Sequence, residues 1–182
     1  MADNNIKIID NFIDLDSFNI IQREIMSPMF DWYIVEKVRQ GDDFNEFLNA
    51  EDDTFNFQFI HVFLSSFMEY NKSNYYSMLN PIIEKLEPVA INRVKANCIP
   101  QTETIHTSHF HTDIPEKTVV DSNPKSAIFY VNDNDGYTLF ENGKRVESVS
   151  NRVCIFPASM RHTGTTCTNK RIRVLINFIY VK

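Results

Sequence analysis

His109-Phe110-His111-Thr112-Asp113 puts two metal-ligating side chains two residues apart, and one further histidine, His162, follows them downstream. In an extended strand residues i and i+2 point to the same face, so His111 and Asp113 would aim into one cavity. A histidine from a neighbouring strand completes two imidazoles and one carboxylate. That set covers one face of an octahedron and leaves the other open, which suits a ferrous ion that must keep positions free for reactants. The 49 residues from Asp113 to His162 hold about four short strands, enough to bring the chain back beside the first pair.

By itself an H-x-D triplet carries little; the distal histidine and the cations beyond it give it weight. Arg171 and Arg173 stand i, i+2 at the head of an apolar run that ends at Tyr180. A guanidinium fork pairs bidentately with a carboxylate. Two arginines leading into so apolar a strand point to an anion bound deep in the fold. A dicarboxylate would chelate the metal at one end and pair with arginine at the other. His109 shares the strand parity of His111, whereas His106 is one parity off. Both rank below the trio, as supporting or surface residues. His61 follows the parity of Phe55, Phe57 and Phe59 and reads as a satisfied core or edge histidine.

Elements that would position these groups follow from periodicity. Lys7 to Phe12 alternates like a short strand. Asp14 or Asp16 caps a helix to about Met26, with Phe18, Ile21 and Ile25 at helical spacing. Trp32 to Val35 is a second short strand, and the alternation from Phe55 into Phe63 a third. Ser73 opens a helix through Leu86, and Pro81 marks a break within it. After Pro88 short apolar runs succeed one another: 91–99, 105–113, 127–132, 137–141, 144–148, 152–156, a piece around His162, and 171–181. Asn142-Gly143 is a hairpin turn, with further turns at Asp135-Gly136 and Pro157-Ala158-Ser159. About eight short strands at this spacing predict a mainly β sandwich or jelly roll.

The 182 residues form one expected domain, 1–90 as a helical and strand support layer and 91–182 as the core. A formal charge of −6 argues against a nucleic-acid surface, and Lys144, Arg145, Arg152 and Arg161 read as a solvated basic edge. Four glycines and no phosphate-loop motif leave no nucleotide cradle. Three cysteines without paired spacing argue against a disulfide framework or zinc site and fit a reducing, cytoplasmic setting. No apolar run is long enough to span a bilayer, and the polar start Met1 to Asn5 lacks the apolar run of a signal peptide.

Taken together, His111-Thr112-Asp113, Ile128-Phe129-Tyr130-Val131-Asn132, Asp135-Gly136-Tyr137-Thr138-Leu139, and His162 followed by Arg173-Val174-Leu175-Ile176-Asn177-Phe178 resemble the Fe(II)- and 2-oxoglutarate-dependent dioxygenases, in their prolyl-hydroxylase-like branch. With Lys95-Ala96-Asn97 and His162-Thr163-Gly164-Thr165-Thr166-Cys167-Thr168, the pattern is also similar to small oxygenases encoded by tailed phages of cyanobacteria. The likeness runs from about Ile91 to Lys182 and is loose before that. It implies a double-stranded β-helix core with N-terminal helices packed on one side. It implies Fe(II) on His111, Asp113 and His162, and Arg173, eleven residues beyond His162, on the distal carboxylate of 2-oxoglutarate, with Arg171 in reserve. Tyr130 matches a tyrosine that bonds the same carboxylate. Asn97 and Ile99 lie on the strand where relatives carry a cosubstrate-contacting tyrosine, and Ile99 departs from that pattern.

The activity this implies is hydroxylation of a C–H bond with O2 and 2-oxoglutarate, releasing succinate and CO2, with ascorbate as a possible accessory. The expected substrate is a protein or peptide side chain such as proline, and the expected setting is the cytoplasm, that of the host if the chain is phage-encoded. Two other readings use the same residues: a cupin-like metal dioxygenase without 2-oxoglutarate, which would recruit His109, and a non-catalytic jelly-roll binding or virion module. The segment 114–125 and the hairpin at Asn142-Gly143 are expected to border the substrate.

Overall fold

The computed structural model describes residues 5–36, 57–66, 71–114 and 123–182. Their strands are β1 (Lys7–Ile9), β2 (Tyr33–Val35), β3 (Gln58–Ser65), β4 (Asn71–Lys72), β5 (Ala90–Pro100), β6 (Lys125–Tyr130), β7 (Tyr137–Phe140), β8 (Arg145–Glu147), β9 (Arg152–Pro157), β10 (His162–Gly164) and β11 (Ile172–Val181). The large sheet runs β1-β9-β6-β11-β5-β3-β2, with β4 on β3, and the small one runs β10-β7-β8. All strand pairings among the described residues are antiparallel. This is a jelly roll, as the strand spacing predicts.

The helices form where the apolar period is helical. In α1 (Leu15–Ile25) the Asp14 carboxylate accepts from the Ser17 amide at 2.9 Å, and Phe18, Ile21 and Ile25 are buried. Pro81 stands at the start of α2 (Asn80–Leu86), preceded by a 3-10 turn over Tyr76–Leu79, so the expected helix from Ser73 is two pieces. Glu87 closes α2 in the left-handed region, φ 52°, just before Pro88. The predicted strand from Phe55 begins at Gln58; Phe55 and Asn56 lie outside the described residues.

Period two divides the large sheet into two faces. Val174, Ile176, Phe178 and Tyr180 of β11, with Val94, Ala96 and Cys98 of β5 and Ala127 and Phe129 of β6, pack against Phe18, Ile21, Ile25, Leu79, Ile82 and Leu86. The opposite face looks into the space between the sheets, where Ile128, Tyr130, Cys154, Phe156 and Leu175 meet Phe140 and Val146. Phe129 is fully buried, with its ring 6.2 Å from Phe18 and 6.5 Å from Phe12. Phe129→Ala removes the piece that joins helix to sheet. The expected loss, read as a lower urea midpoint, is about 3–5 kcal/mol.

The expected strand over 105–113 is not continuous. It contributes two isolated bridges, Thr107 to Thr165 and His111 to His162. Between them the chain takes four steps on one side and three on the other, the two-against-one count of a β-bulge. The basic edge resolves into ion pairs: Arg145 with Glu147, Arg152 with Asp10, and Arg161 with Glu141. Cys98, Cys154 and Cys167 are unpaired and buried; burial pushes the first two thiols up to about 11 and about 12, so they are inert. No helix of the described residues is long and apolar enough to cross a membrane.

Candidate active site

The bulge sets the two histidines opposite each other. The His111 amide donates to the His162 carbonyl at 2.9 Å, and the His162 amide to the His111 carbonyl at 3.0 Å. This doubly bonded antiparallel pair holds the imidazole centroids 4.7 Å apart. The Nδ1 of His111 faces the His109 carbonyl at 3.2 Å, and that of His162 the Met160 carbonyl at 3.0 Å. A carbonyl only accepts, so each Nδ1 carries a proton, and the neutral form of each ring presents its lone pair at Nε2. This is the second hydrogen bond a metal-ligating histidine needs.

Asp113 reaches the same point by a different route from the parity expected of a strand. It lies in a bend, its amide bonded to the Ala158 carbonyl at 3.0 Å. Its side chain is 3% exposed and takes hydrogen bonds from Ser126 Oγ at 2.5 Å, Asn177 Nδ2 at 3.1 and 3.2 Å, and Arg93 Nη2 at 3.3 Å. Burial alone would raise its pKa; the charges of His162 and Arg93 and the Ser126 hydroxyl more than offset this and hold the carboxyl below the usual range. Burial also lowers the His111 pKa, aided by the charges of His162 and Lys95. One ligand atom from each of His111, Asp113 and His162 lies within 4.8 Å of the others. Two imidazoles that present Nε2 in their neutral form, together with an ionised carboxylate, fit a divalent first-row metal.

His109 is exposed. The bulge breaks the parity that would aim it inward, and its part is to lend its carbonyl to His111. The ligand set of a cupin-like site, which needs His109, is therefore not assembled. His61 is a satisfied core histidine, with Nδ1 on the Asp31 carbonyl at 2.7 Å and Nε2 against Ser73 Oγ at 2.8 Å. The hydroxyls of Thr163, Thr165 and Thr166 bond neighbouring backbone, and that of Thr168 meets Asp135, as a polar turn requires.

Arg173 is fully buried on the cavity face of β11, opposite Ile99 of β5, while Arg171 precedes the strand and is exposed. Nε of Arg173 donates to Ser148 Oγ at 2.8 Å, Nη1 to the Thr165 carbonyl at 3.3 Å, and Nη2 to Thr138 Oγ1 at 3.3 Å. Tyr130, also fully buried, donates its hydroxyl to Thr138 Oγ1 at 2.8 Å, and its ring lies 5.9 Å from the guanidinium carbon. Burial pulls the Arg173 pKa down, and among the described residues no carboxylate pairs with it. A desolvated guanidinium held only by neutral partners costs several kcal/mol. Asn97 lies on the same face, opposite Leu175.

Sequence reasoning missed several contributors. Asn177 and Ser126 hold Asp113, and the signal was a polar residue at cavity parity in an apolar strand. Ser148 and Thr138, which hold Arg173, gave no such signal. Gly136 marked a turn, yet its lack of a side chain has a second use. A Cβ there would lie 2.6 Å from both Arg173 Cδ and the Thr166 carbonyl oxygen. Gly136→Ala is expected to destabilise by about 1–3 kcal/mol, read as a lower thermal midpoint.

No protein-family model and no curated protein sequence matches the chain. Solved structures do match. A prolyl hydroxylase of Trichoplax adhaerens, in complex with a hypoxia inducible factor peptide fragment, superposes with a TM-score of 0.65 at 12% identity, covering 98% of this chain and 84% of that one. The viral collagen prolyl hydroxylase of Paramecium Bursaria Chlorella virus-1, as its 2-oxoglutarate complex, gives 0.61 at 11% identity, with 97% and 96% covered. A 2-oxoglutarate-Fe(II) oxygenase family protein of Burkholderia pseudomallei gives 0.65 at 7%, with 98% and 86% covered. The fold is thus the jelly roll of 2-oxoglutarate-Fe(II) oxygenases, prolyl hydroxylases among them. At these identities the likeness is one of fold.

Proposed function

We propose that the protein is an Fe(II)- and 2-oxoglutarate-dependent dioxygenase that hydroxylates a C–H bond of a protein or peptide side chain such as proline. The observation that carries this reading is Arg173, a wholly buried cation without a carboxylate among the described residues, on the sheet face that also holds Asn177, the partner of Asp113. Arg173 and Asn177 are four residues apart on one strand, roughly 13 Å, so ligands reaching inward from both ends can bracket a short dicarboxylate. His111, Asp113 and His162 would hold the iron, Arg173 the distal carboxylate, Tyr130 and Thr138 the guanidinium from beneath, and Asn97 the flank. Iron held there supplies the O2 chemistry in which 2-oxoglutarate becomes succinate and CO2 and C–H becomes C–OH.

The chain's own contribution is orientation and dryness. The His109 and Met160 carbonyls fix both imidazoles. Ser126, Asn177 and Arg93 fix Asp113. Phe140 and Phe156 pack around His162, with ring centroids 6.0 and 4.7 Å away, and limit water at that ligand. Oxygen uptake by the iron-loaded protein with peptide libraries should require 2-oxoglutarate, yield equimolar succinate, and leave a product 16 mass units heavier by the balance just given. Uptake that proceeds with iron alone contradicts the reading.

A further inference from the structure

On the cavity face Lys95 has no task so far, and among the described residues Arg93 uses only one of its nitrogens, on Asp113. Arg93, Lys95, Asn97 and Ile99 alternate along β5, opposite Ile179, Asn177, Leu175 and Arg173 of β11. Lys95 therefore stands at the metal end, across from the asparagine that holds Asp113, and four residues from the level of Arg173. Its charge is felt at both His111 and Asp113. Among the described residues Asp113 is the one acidic group acting on Lys95, and the lysine makes neither an ion pair nor a hydrogen bond. Arg93 gives one nitrogen to Asp113, but its Nε is buried without an acceptor, and Asn177 Oδ1 beside it is buried without a donor.

Charge makes the surplus plain. Asp113 is one negative charge among Arg93, Lys95 and Arg173. A divalent metal adds two positive charges and a dicarboxylate removes two. Two positive charges then remain, both on β5 at the metal end, where like charges in a poorly hydrated site repel strongly. Exposure shows which ligand meets them. Arg173 is fully buried, whereas Lys95 is half-buried and the Arg93 side chain 27% exposed. Of the three cations, this pair is the more open to a molecule arriving from solvent.

We propose that Lys95, with Arg93 beside it, binds a carboxylate of the substrate, so that the hydroxylated bond belongs to a molecule bearing an acid group close to the reacting carbon. This rests on the dioxygenase reading and adds a substrate class to it. The carboxylate is either that of an Asp or Glu side chain in a peptide or that of a free amino acid.

Equilibrium dialysis of the Mn(II)-loaded full chain, with and without 2-oxoglutarate, tests this. The probes are blocked hexapeptide libraries with Glu or Gln at each position, and free amino acids with their amides. Charged members should be retained about tenfold over their amides. Lys95→Gln should erase that preference, Lys95→Arg keep it, and Lys95→Glu shift it to lysine-bearing peptides, while 2-oxoglutarate affinity, measured by calorimetry, stays within about twofold. Retention of the amino acids alone, or of the acidic peptides alone, supports the proposal and identifies the source of the carboxylate. Equal retention of charged and amide probes overturns it. So does a Lys95→Gln variant that loses 2-oxoglutarate affinity without any acid preference in the parent, because Lys95 then serves the cosubstrate. If the parent selects acids but never binds 2-oxoglutarate, the dioxygenase reading fails and the carboxylate site stands.

Discussion

Arg173→Met is expected to abolish 2-oxoglutarate binding while leaving the ligand-free protein at least as stable as the parent. The two effects have opposite signs because the guanidinium carries an unbalanced cost. It is fully buried, its partners are a serine, a threonine and a carbonyl, and burial disfavours its charge. Replacing a desolvated ion by an apolar side chain of similar volume is neutral or stabilising by about 1–4 kcal/mol. The same cation, met by a carboxylate, gives a bidentate pair in a dry site. Losing it costs about 3–5 kcal/mol of binding, a factor of roughly 100 or more. Calorimetry on the Mn(II) protein measures the affinity and thermal unfolding the stability. A variant that unfolds several degrees earlier and still binds 2-oxoglutarate would show that Arg173 is a structural residue.

Asp113→Ala has the other large effect. It removes an anionic ligand and, with it, the counter-charge of Arg93 and Lys95. Metal affinity should fall by at least about 100-fold, beyond what losing a supporting hydrogen bond costs. Stability should fall as well, by about 1–3 kcal/mol at neutral pH, since Arg93 is part-exposed and solvent repays some of the loss. The pH dependence has a definite sign. The folded-state pKa of Asp113 is depressed, so its stabilisation is fully present above the ordinary carboxylate range and is lost as pH falls through the depressed value. Urea midpoints of the parent and Asp113→Ala should therefore differ at pH 7 and converge below about pH 4. A gap that stays constant with pH contradicts the ionised, paired state of this carboxylate.

Much of the site was legible because its residues break local rules. A charged residue inside the apolar run of β11 announced Arg173, while Asn177 broke the same rule and was passed over. Period two gives Arg171 and Arg173 one face and could not choose between them; β11 begins at Ile172, which leaves Arg171 exposed before the strand and Arg173 buried within it. Illegible was how His111 and Asp113 converge. Period two from His111 to Asp113 needs an extended strand over 105–113; the chain instead bulges between Thr107 and His111 and bends at Asp113. The side chains still meet, but through the paired histidine backbones and three donors on Asp113, contacts distant in sequence. The bulge also explains His109, whose parity suggested a ligand and whose side chain points to solvent. The helices were readable from Asp14, Pro81 and the spacing of Phe18, Ile21 and Ile25. The segment expected to cover the pocket falls largely on residues 115–122, outside the described residues.

The central claim is that one cavity holds a dicarboxylate between the His111-Asp113-His162 site and Arg173. Calorimetric titration of the Mn(II)-loaded protein with 2-oxoglutarate and with 2-oxobutyrate, which lacks the distal carboxylate, tests it most directly. The account predicts that 2-oxoglutarate binds only when metal is present and about 100-fold more tightly than 2-oxobutyrate, the value of a buried arginine–carboxylate pair. Equal affinity for the two acids, or binding indifferent to the metal, would contradict it.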